Sequence, residues 1–313
     1  MRKRWKVLLG AVAIVVALPV AAIATILAWT VISDRTNGTV ASSGVTRRYL
    51  LYVPKTYDRS KPTPLLISFH PAAAWPAAEA SISRWNDLAD ARGFLVVYPE
   101  GSGAFFGGLG RGPEIWPQGP HTLARDVRFV GDLIDNLASQ YNIDPDRIYA
   151  DGISNGGGMA FALSCTLGDR IAAIGTVAAA QTLPWDRCPD GRPVPTVAIH
   201  GTADTFAPYY GGRSAIAPQP FPDIPGWAAR VARRNGCQGE PSDSQVTPHV
   251  RRLAYAGCAN HADVVLYTVE GGGHAWPGGM HLPVWAVGTT TDEISATAIM
   301  WAFFAQHPRS RPS

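Results

Sequence analysis

Charge is scarce in this chain. Acidic and basic side chains make up 16% of its 313 residues, with a net charge of +3. Arg2, Lys3, Arg4 and Lys6 supply four of the positives, so +3 less these four leaves −1 for the remainder of the chain, and the other basic residues are scattered. Without a basic stripe, a nucleic-acid partner is excluded. Cysteine is equally sparse. The four present, Cys165, Cys188, Cys237 and Cys258, lack the close spacing of a metal knuckle, which argues against a zinc site. None lies in or just after the N-terminal apolar stretch, so lipid attachment at a lipobox is not expected there. No internal repeat occurs, and no appended polymer-binding segment is visible.

One long apolar run is present. An uncharged stretch from Val7 to Ile32 comes after the four N-terminal positives. At about 1.5 Å per residue it is long enough to cross a roughly 30 Å hydrocarbon core as a helix, with its N-terminus inside. Ala22-Ile23-Ala24 also resembles a signal cleavage site, but the apolar run continues past it through Trp29 and Val31, which favours an uncleaved anchor. Either way, the rest of the chain is expected outside the cytoplasm, membrane-anchored or secreted. The organisation is then a signal-anchor segment over 1–33, a linker over 34–44 and one catalytic domain over 45–308. Outside the cytoplasm the cysteines are free to pair. Of three connectivities, Cys165 with Cys188 and Cys237 with Cys258 close the shortest loops.

The chemistry is concentrated at Gly152-Ile153-Ser154-Asn155-Gly156, between the strand-like RIYADGI (147–153) and the helical NGGGMAFALSCTL (155–167). A serine at the tip of a sharp strand-to-helix bend needs small neighbours two residues either side, so that the bend closes and Oγ stays exposed. Such a serine needs a base, and the base needs an orienting acid. Two further apolar runs, PVPTVAIH (193–200) and DVVLYTVE (263–270), end in loops that offer Asp204 and His274. The order Ser, Asp, His is that of α/β-hydrolases. His200 is a rival base, but it ends its own strand four residues before the acid and is expected to point elsewhere. For the oxyanion, one donor is the N–H of Asn155. The other is expected after PLLISFH (64–70), where Pro71 has no N–H and Ala72 is the best remaining donor.

These residues carry a resemblance. VVYPEG (96–101), RDVRFVGDLIDNL with YNIDPDRIYADGISNGGGMA (125–160), HGTAD with PYYGG (200–212) and GGGHAWPGG (271–279) make the chain similar to the polyhydroxybutyrate depolymerase-like esterases, which include feruloyl and acetylxylan esterases. The resemblance spans about residues 45 to 307. It implies Ser154 as nucleophile, Asp204 as acid and His274 as base, and the same cysteine pairing. In one departure, His70 and Pro71 stand where members carry a His-Gly pair, which bears on the oxyanion loop and on substrate preference.

The expected architecture is an α/β-hydrolase fold, a mostly parallel sheet with helices on both faces, preceded by the N-terminal transmembrane or signal helix. VTRRYLLYVP (45–54), LLISFH and FLVVYP read as strands. Helices are expected from Ala77 to Arg92, over 126–141 with Val127, Val130, Leu133, Ile134 and Leu137 on one face, and from about Thr291 to Gln306 covering the sheet edge. The Gly- and Pro-rich stretches 101–120 and 207–226 are expected to arch over the site. Trp276, Trp116 and Tyr209, with Phe105, Phe106 and Tyr210, are expected to form an apolar substrate wall. The expectation is a serine ester hydrolase needing no cofactor and no metal, acting on a small or polymeric ester. An envelope acyltransferase, a peptidase and a non-catalytic binding protein are the alternatives. Oligomeric state leaves no mark in the sequence.

Overall fold

The computed structural model of the chain describes residues 35–104, 114–116, 120–180, 183–188, 191–214 and 220–309. The apolar N-terminal segment expected as a signal anchor lies outside the described residues, as do Phe105 and Phe106. Among the described residues no helix is long and apolar enough to cross a membrane.

The short apolar runs become strands, and polar or glycine-rich breaks separate them. In chain order the elements are β1 (Gly38–Ser42), β2 (Val45–Tyr52), β3 (Thr63–Phe69), α1 (Pro76–Ser83), α2 (Trp85–Arg92), β4 (Leu95–Pro99), β5 (Gly103–Ala104), β6 (Glu114–Ile115), α3 (Pro120–Gln140), β7 (Ile143–Ile153) and α4 (Asn155–Thr166). They continue with β8 (Ala173–Val177), β9 (Thr196–Gly201), β10 (Tyr210–Gly212), β11 (Phe221–Asp223), α5 (Ile224–Arg234), β12 (Ser242–Thr247), β13 (Val250–Tyr255), β14 (Val264–Val269), α6 (Val284–Val287) and α7 (Ala296–Gln306).

Ten strands form one sheet in the order β1-β2-β4-β3-β7-β8-β9-β14-β13-β12. The six from β4 to β14 run parallel, and an antiparallel hairpin flanks them on each side. Successive side chains alternate faces. Leu95 and Val97 of β4 join the core beneath α3, α4 and α5, whereas Val96 and Tyr98 join the one beneath α2 and α7. This double burial is why the parallel strands read as continuous apolar runs rather than alternating ones.

Four expectations change. Residues 38–42, placed in a linker from the sequence, pair with β2 as an edge strand, because Ser43 and Gly44 take φ of 51° and 79° and reverse the chain in a two-residue turn. The helix expected from Ala77 to Arg92 is two helices, broken at Arg84, whose φ of 56° ends one and begins the other. The last helix starts at Ala296, where the Ser295 hydroxyl accepts from the Ala298 N–H. It packs on the sheet face beside β8 and β9 rather than over the edge, with Met300 and Phe304 filling the space that Gly175 leaves open.

Two disulfides, Cys165–Cys188 and Cys237–Cys258, close loops with sequence separations of 23 and 21. In the chain-entropy account each stabilises the fold by about 3 kcal/mol.

Two carboxyls are sealed between the sheet and α1. Glu79 and Asp151 are fully buried; Ser68 Oγ donates to Glu79 Oε1 at 3.2 Å, and Trp85 Nε1–H donates to Asp151 Oδ2 at 2.7 Å. Glu79 Oε2 and Asp151 Oδ1 have no partner among the described residues. Burial raises both pKa values, Asp151 to about 7 and Glu79 well above its ordinary value, the latter helped by the neighbouring Asp151 charge. A carboxyl that is more basic in the folded than in the unfolded chain binds the extra proton when folded. Its stabilising effect is therefore full below the unfolded pKa and is lost as pH rises through the folded one. Between pH 3.8 and about 7 the unfolding temperature should fall as Asp151 ionises. Asp151→Asn keeps an acceptor for Trp85 and should flatten that slope by several degrees. Identical slopes in calorimetric melts of the two proteins would contradict this.

Candidate active site

Strand register decides which loops meet. Ile153 of β7 pairs with Val177 of β8, Val177 with Ile199 of β9, and Ile199 with Tyr267 of β14. Ser154, Asp204 and His274 all come after this row, so the loops bearing them emerge from the same carboxyl edge of one parallel sheet. Ligand sites on open α/β sheets collect at that edge.

Ser154 stands between β7 and α4 with φ 57° and ψ −124°, a backbone state that costs a non-glycine residue on the order of 1–3 kcal/mol. The glycines on either side make it attainable. A Cβ at Gly152 would lie 2.6 Å from the Phe69 carbonyl oxygen, and one at Gly156 only 2.0 Å from that same atom. The bend closes because β3 and α4 touch backbone to backbone.

Asp204 is 4% exposed, and both of its carboxyl oxygens are hydrogen-bonded. Its Oδ1 accepts the N–H groups of Phe206 and Ala207, both at 2.8 Å. Its Oδ2 lies 2.8 Å from His274 Nδ1 and 3.3 Å from His200 Nε2. Burial alone would raise its pKa, but hydrogen bonds from His200 and His274 outweigh that and hold the carboxyl well below the usual carboxylate range. His200 therefore does not point elsewhere: it is buried against Asp204, with Nε2 also 2.7 Å from the Ala207 carbonyl oxygen. The loops that carry Asp204 and His274 are also joined to each other. Ala203 N–H donates to the Gly272 carbonyl at 2.9 Å, and Gly271 N–H to Thr202 Oγ1 at 2.8 Å. His274 is pinned in turn by its N–H, which donates to the Val287 carbonyl at 2.6 Å, and by the Phe206 ring, whose centroid lies 5.2 Å away. Among the described residues no hydrogen bond joins Ser154 Oγ to His274 Nε2. Such links often tighten only when substrate is bound.

The loop after β3 is fixed by His70. Burial holds its pKa down at about 4, so the ring stays neutral. Its Nε2 accepts from the Gly101 N–H at 3.1 Å, which leaves Nδ1 to carry the proton toward the Pro71 carbonyl at 2.8 Å. Ala73, at φ 59°, then turns the chain into α1. Ala72 lies in this turn, and Asn155 opens α4, where the first N–H groups have no intrahelical acceptor.

The two tryptophans expected to form a substrate wall are structural instead. Trp116 is completely buried and edge-on to Phe69 at 5.0 Å, with its Nε1–H donating to the His70 carbonyl. Its backbone and the Asn155 amide bond each other in both directions, at 2.6 Å and 3.0 Å, tying the residue after Ser154 to the end of the β6 strand. Trp276 is 1% exposed and donates to Thr297 Oγ1 in the core shared with Trp85. Neither presents a ring face to a ligand. Tyr209 is mostly buried but lines a cleft. Two side chains that the sequence left unmarked adjoin these residues: Phe206, against His274, and the Asn155 amide, bonded to Trp116; a phenylalanine two residues past Asp204 was the signal for the first. Among the described residues no group of His, Cys, Asp and Glu is arranged to hold a metal.

Known proteins share this arrangement of sequence and fold. The family described as Esterase PHB depolymerase matches residues 47–181. Feruloyl esterase B of Piromyces equi is 34% identical over 236 residues, which is 73% of this chain and 42% of that protein, so the chain spans less than half the length of that relative. The putative esterase NocK of Nocardia uniformis subsp. tsuyamanensis is 31% identical over 275 residues, covering 83% of this chain and 79% of NocK. Among solved structures, an acetyl xylan esterase from Aspergillus awamori has the same fold, with a TM-score of 0.56 at 14% identity over 73% of this chain and 89% of the other.

Proposed function

Because the chain belongs to the Esterase PHB depolymerase family, we propose that it is a carboxylic ester hydrolase that acts outside the cytoplasm through Ser154, His274 and Asp204. The observation that carries this reading is the Asp204–His274 hydrogen bond, on the same sheet edge as a strained, glycine-flanked serine. The disulfides favour an oxidising compartment.

His274 Nε2 takes the Ser154 proton as Oγ attacks the ester carbonyl. Asp204 remains an anion and stabilises the imidazolium that forms. The N–H groups of Asn155 and Ala72 hold the oxyanion, and each such donor is worth about 100-fold to 1,000-fold in rate. The tetrahedral intermediate collapses, His274 protonates the departing alcohol, and a water deprotonated by the same imidazole releases the acid. The neutral, doubly anchored His70 ring and the Asn155–Trp116 clamp keep the donors in place between turnovers. The relatives named as feruloyl and acetylxylan esterases support an aromatic or acetyl ester as the substrate.

A fluorophosphonate probe tests the nucleophile. Intact-mass and peptide analysis should find a single adduct at Ser154, with loss of p-nitrophenyl acetate hydrolysis in proportion to labelling; a protein that hydrolyses the ester yet labels elsewhere would remove Ser154 from the reaction.

A further inference from the structure

Asp204 serves two imidazoles, and the proposed reaction uses only one of them. His200 is the last residue but one of β9, a strand buried at every position, and it pairs with Thr268 of β14. The turn after it, closed by the Asp204 N–H donating to the Gly201 carbonyl at 3.3 Å, folds the carboxyl back over the ring. His200 Nε2 then lies 2.7 Å from the Ala207 carbonyl oxygen and 3.3 Å from Asp204 Oδ2. Both oxygens present only lone pairs, and a bare ring nitrogen would set a third lone pair against them where the residue is 2% exposed. Nε2 therefore carries a proton and shares it between the two. Ala207 closes the circuit, since its N–H donates to Asp204 Oδ1 at 2.8 Å while its carbonyl accepts from His200.

We infer that His200 is a positioning residue for the reaction at Ser154: sharing Asp204 Oδ2 with His274, it keeps the carboxylate in one orientation and limits how strongly that carboxylate supports the imidazolium. The inference rests on the esterase reading of the site. A hydrogen bond to Ala207 alone would suffice to hold the loop. The second one, to the oxygen that His274 Nδ1 reaches at 2.8 Å, is what gives His200 a share in the chemistry. Hydrogen bonds to an ion in a water-excluded site are strong and draw charge from the atom that accepts them. Burial works to raise the Asp204 pKa, and hydrogen bonds from His200 and then His274 outweigh it. Charge that His200 draws from Oδ2 is withheld from His274. A base that is too strong is already protonated at the pH where it must act, so restraint of its basicity favours turnover. The titratable groups of this cluster are Asp204, the two imidazoles and Tyr209, whose ring stands edge-on to His200 at 5.9 Å with its hydroxyl bonded to Thr268 Oγ1.

Histidine-selective 15N NMR of the wild type, without substrate, should place His200 Nε2 in the protonated, pyrrole-like range; a pyridine-like Nε2 would overturn the inference. In pH profiles of p-nitrophenyl acetate hydrolysis, His200→Leu should raise the midpoint of the acid limb of kcat/KM by about 0.5–1 pH unit. Its kcat at neutral pH should fall about tenfold as the carboxylate loses one hold, with KM changed by less than about twofold. His200→Gln carries an amide N–H to the same reach and should bring the limb back toward the wild-type position. Lost packing alone lowers the unfolding temperature, but it neither moves the limb nor is repaired by an amide. If the leucine variant does not fold, His200→Asn, whose amide is one bond shorter, should move the limb upward in its place. A limb that stays put in the folded variant, or that glutamine does not restore, ends this role for His200 while ester hydrolysis at Ser154 stands. A protein that cleaves no ester loses the esterase reading, and this role with it.

Discussion

Ser154→Ala should lower kcat/KM for short p-nitrophenyl esters by about 10⁶-fold, equivalent to about 8 kcal/mol of transition-state stabilisation. The loss is this large because in the proposed mechanism the hydroxyl is the atom that forms the acyl bond, and neither Asp204 nor His274 can act without it. Removal of His274 should cost nearly as much, and removal of both little more than either, since groups that act as one unit are far from additive. A residual rate about 10³–10⁴ above the uncatalysed reaction is expected from the proposed Asn155 and Ala72 donors alone. The unfolding temperature should not drop, because the alanine side chain removes only a half-buried hydroxyl and leaves the bend in place. Activity within tenfold of wild type would place the chemistry on another residue.

Gly156→Ala tests the bend itself. The added methyl would sit 2.0 Å from the Phe69 carbonyl oxygen and 2.6 Å from that of His70. Neither is the end of a flexible side chain, so α4 must separate from β3. Overpacking of this kind costs about 3 kcal/mol, which in a chain of this size lowers the unfolding temperature by roughly 6–12 °C. Catalysis should fall as well, by about 100-fold, because the displaced β3 terminus leads directly into the loop that carries Ala72, the proposed donor. Gly131→Ala on α3 is the control. Nothing lies within 4 Å of its added methyl, and the gain in helix propensity should stabilise the protein by about 0.5–1 kcal/mol. If calorimetric melts find the two variants equally stable, close backbone approach is not what keeps glycine at 156.

The residues of the proposed site are easier to read in the sequence than the architecture around them. The glycine-flanked serine and the strand-terminal Asp204 and His274 are local signals, each visible within a few residues, and parallel pairing then brings their loops to one edge. The disulfides were readable from loop length because each pair closes a short loop, with sequence separations of 23 and 21. What stayed hidden depends on partners remote in the chain. β12 is exposed at five of its six positions, so Ser242–Thr247 shows no apolar alternation to mark it as a strand. The break at Arg84 has neither glycine nor proline to announce it. Trp116 and Trp276 lie in glycine-rich loops near the site, which favoured a binding wall, yet their indole N–H groups find acceptors in the interior and the rings go with them. His200 looked remote from the acid because of its place at the end of its own strand, but the turn after β9 folds Asp204 back over it.

The hydrogen bonds that join the turn at 201–204 to the turn at 271–274 make the two a single mechanical part. A Cβ at Gly201 would lie 2.2 Å from the Gly272 carbonyl oxygen, so the two turns leave no slack for adjustment. Anyone recombining this enzyme with a relative to change its preference should transplant both turns together. A chimera that inherits the acid from one parent and the base from the other would put each residue in a frame cut for a different partner.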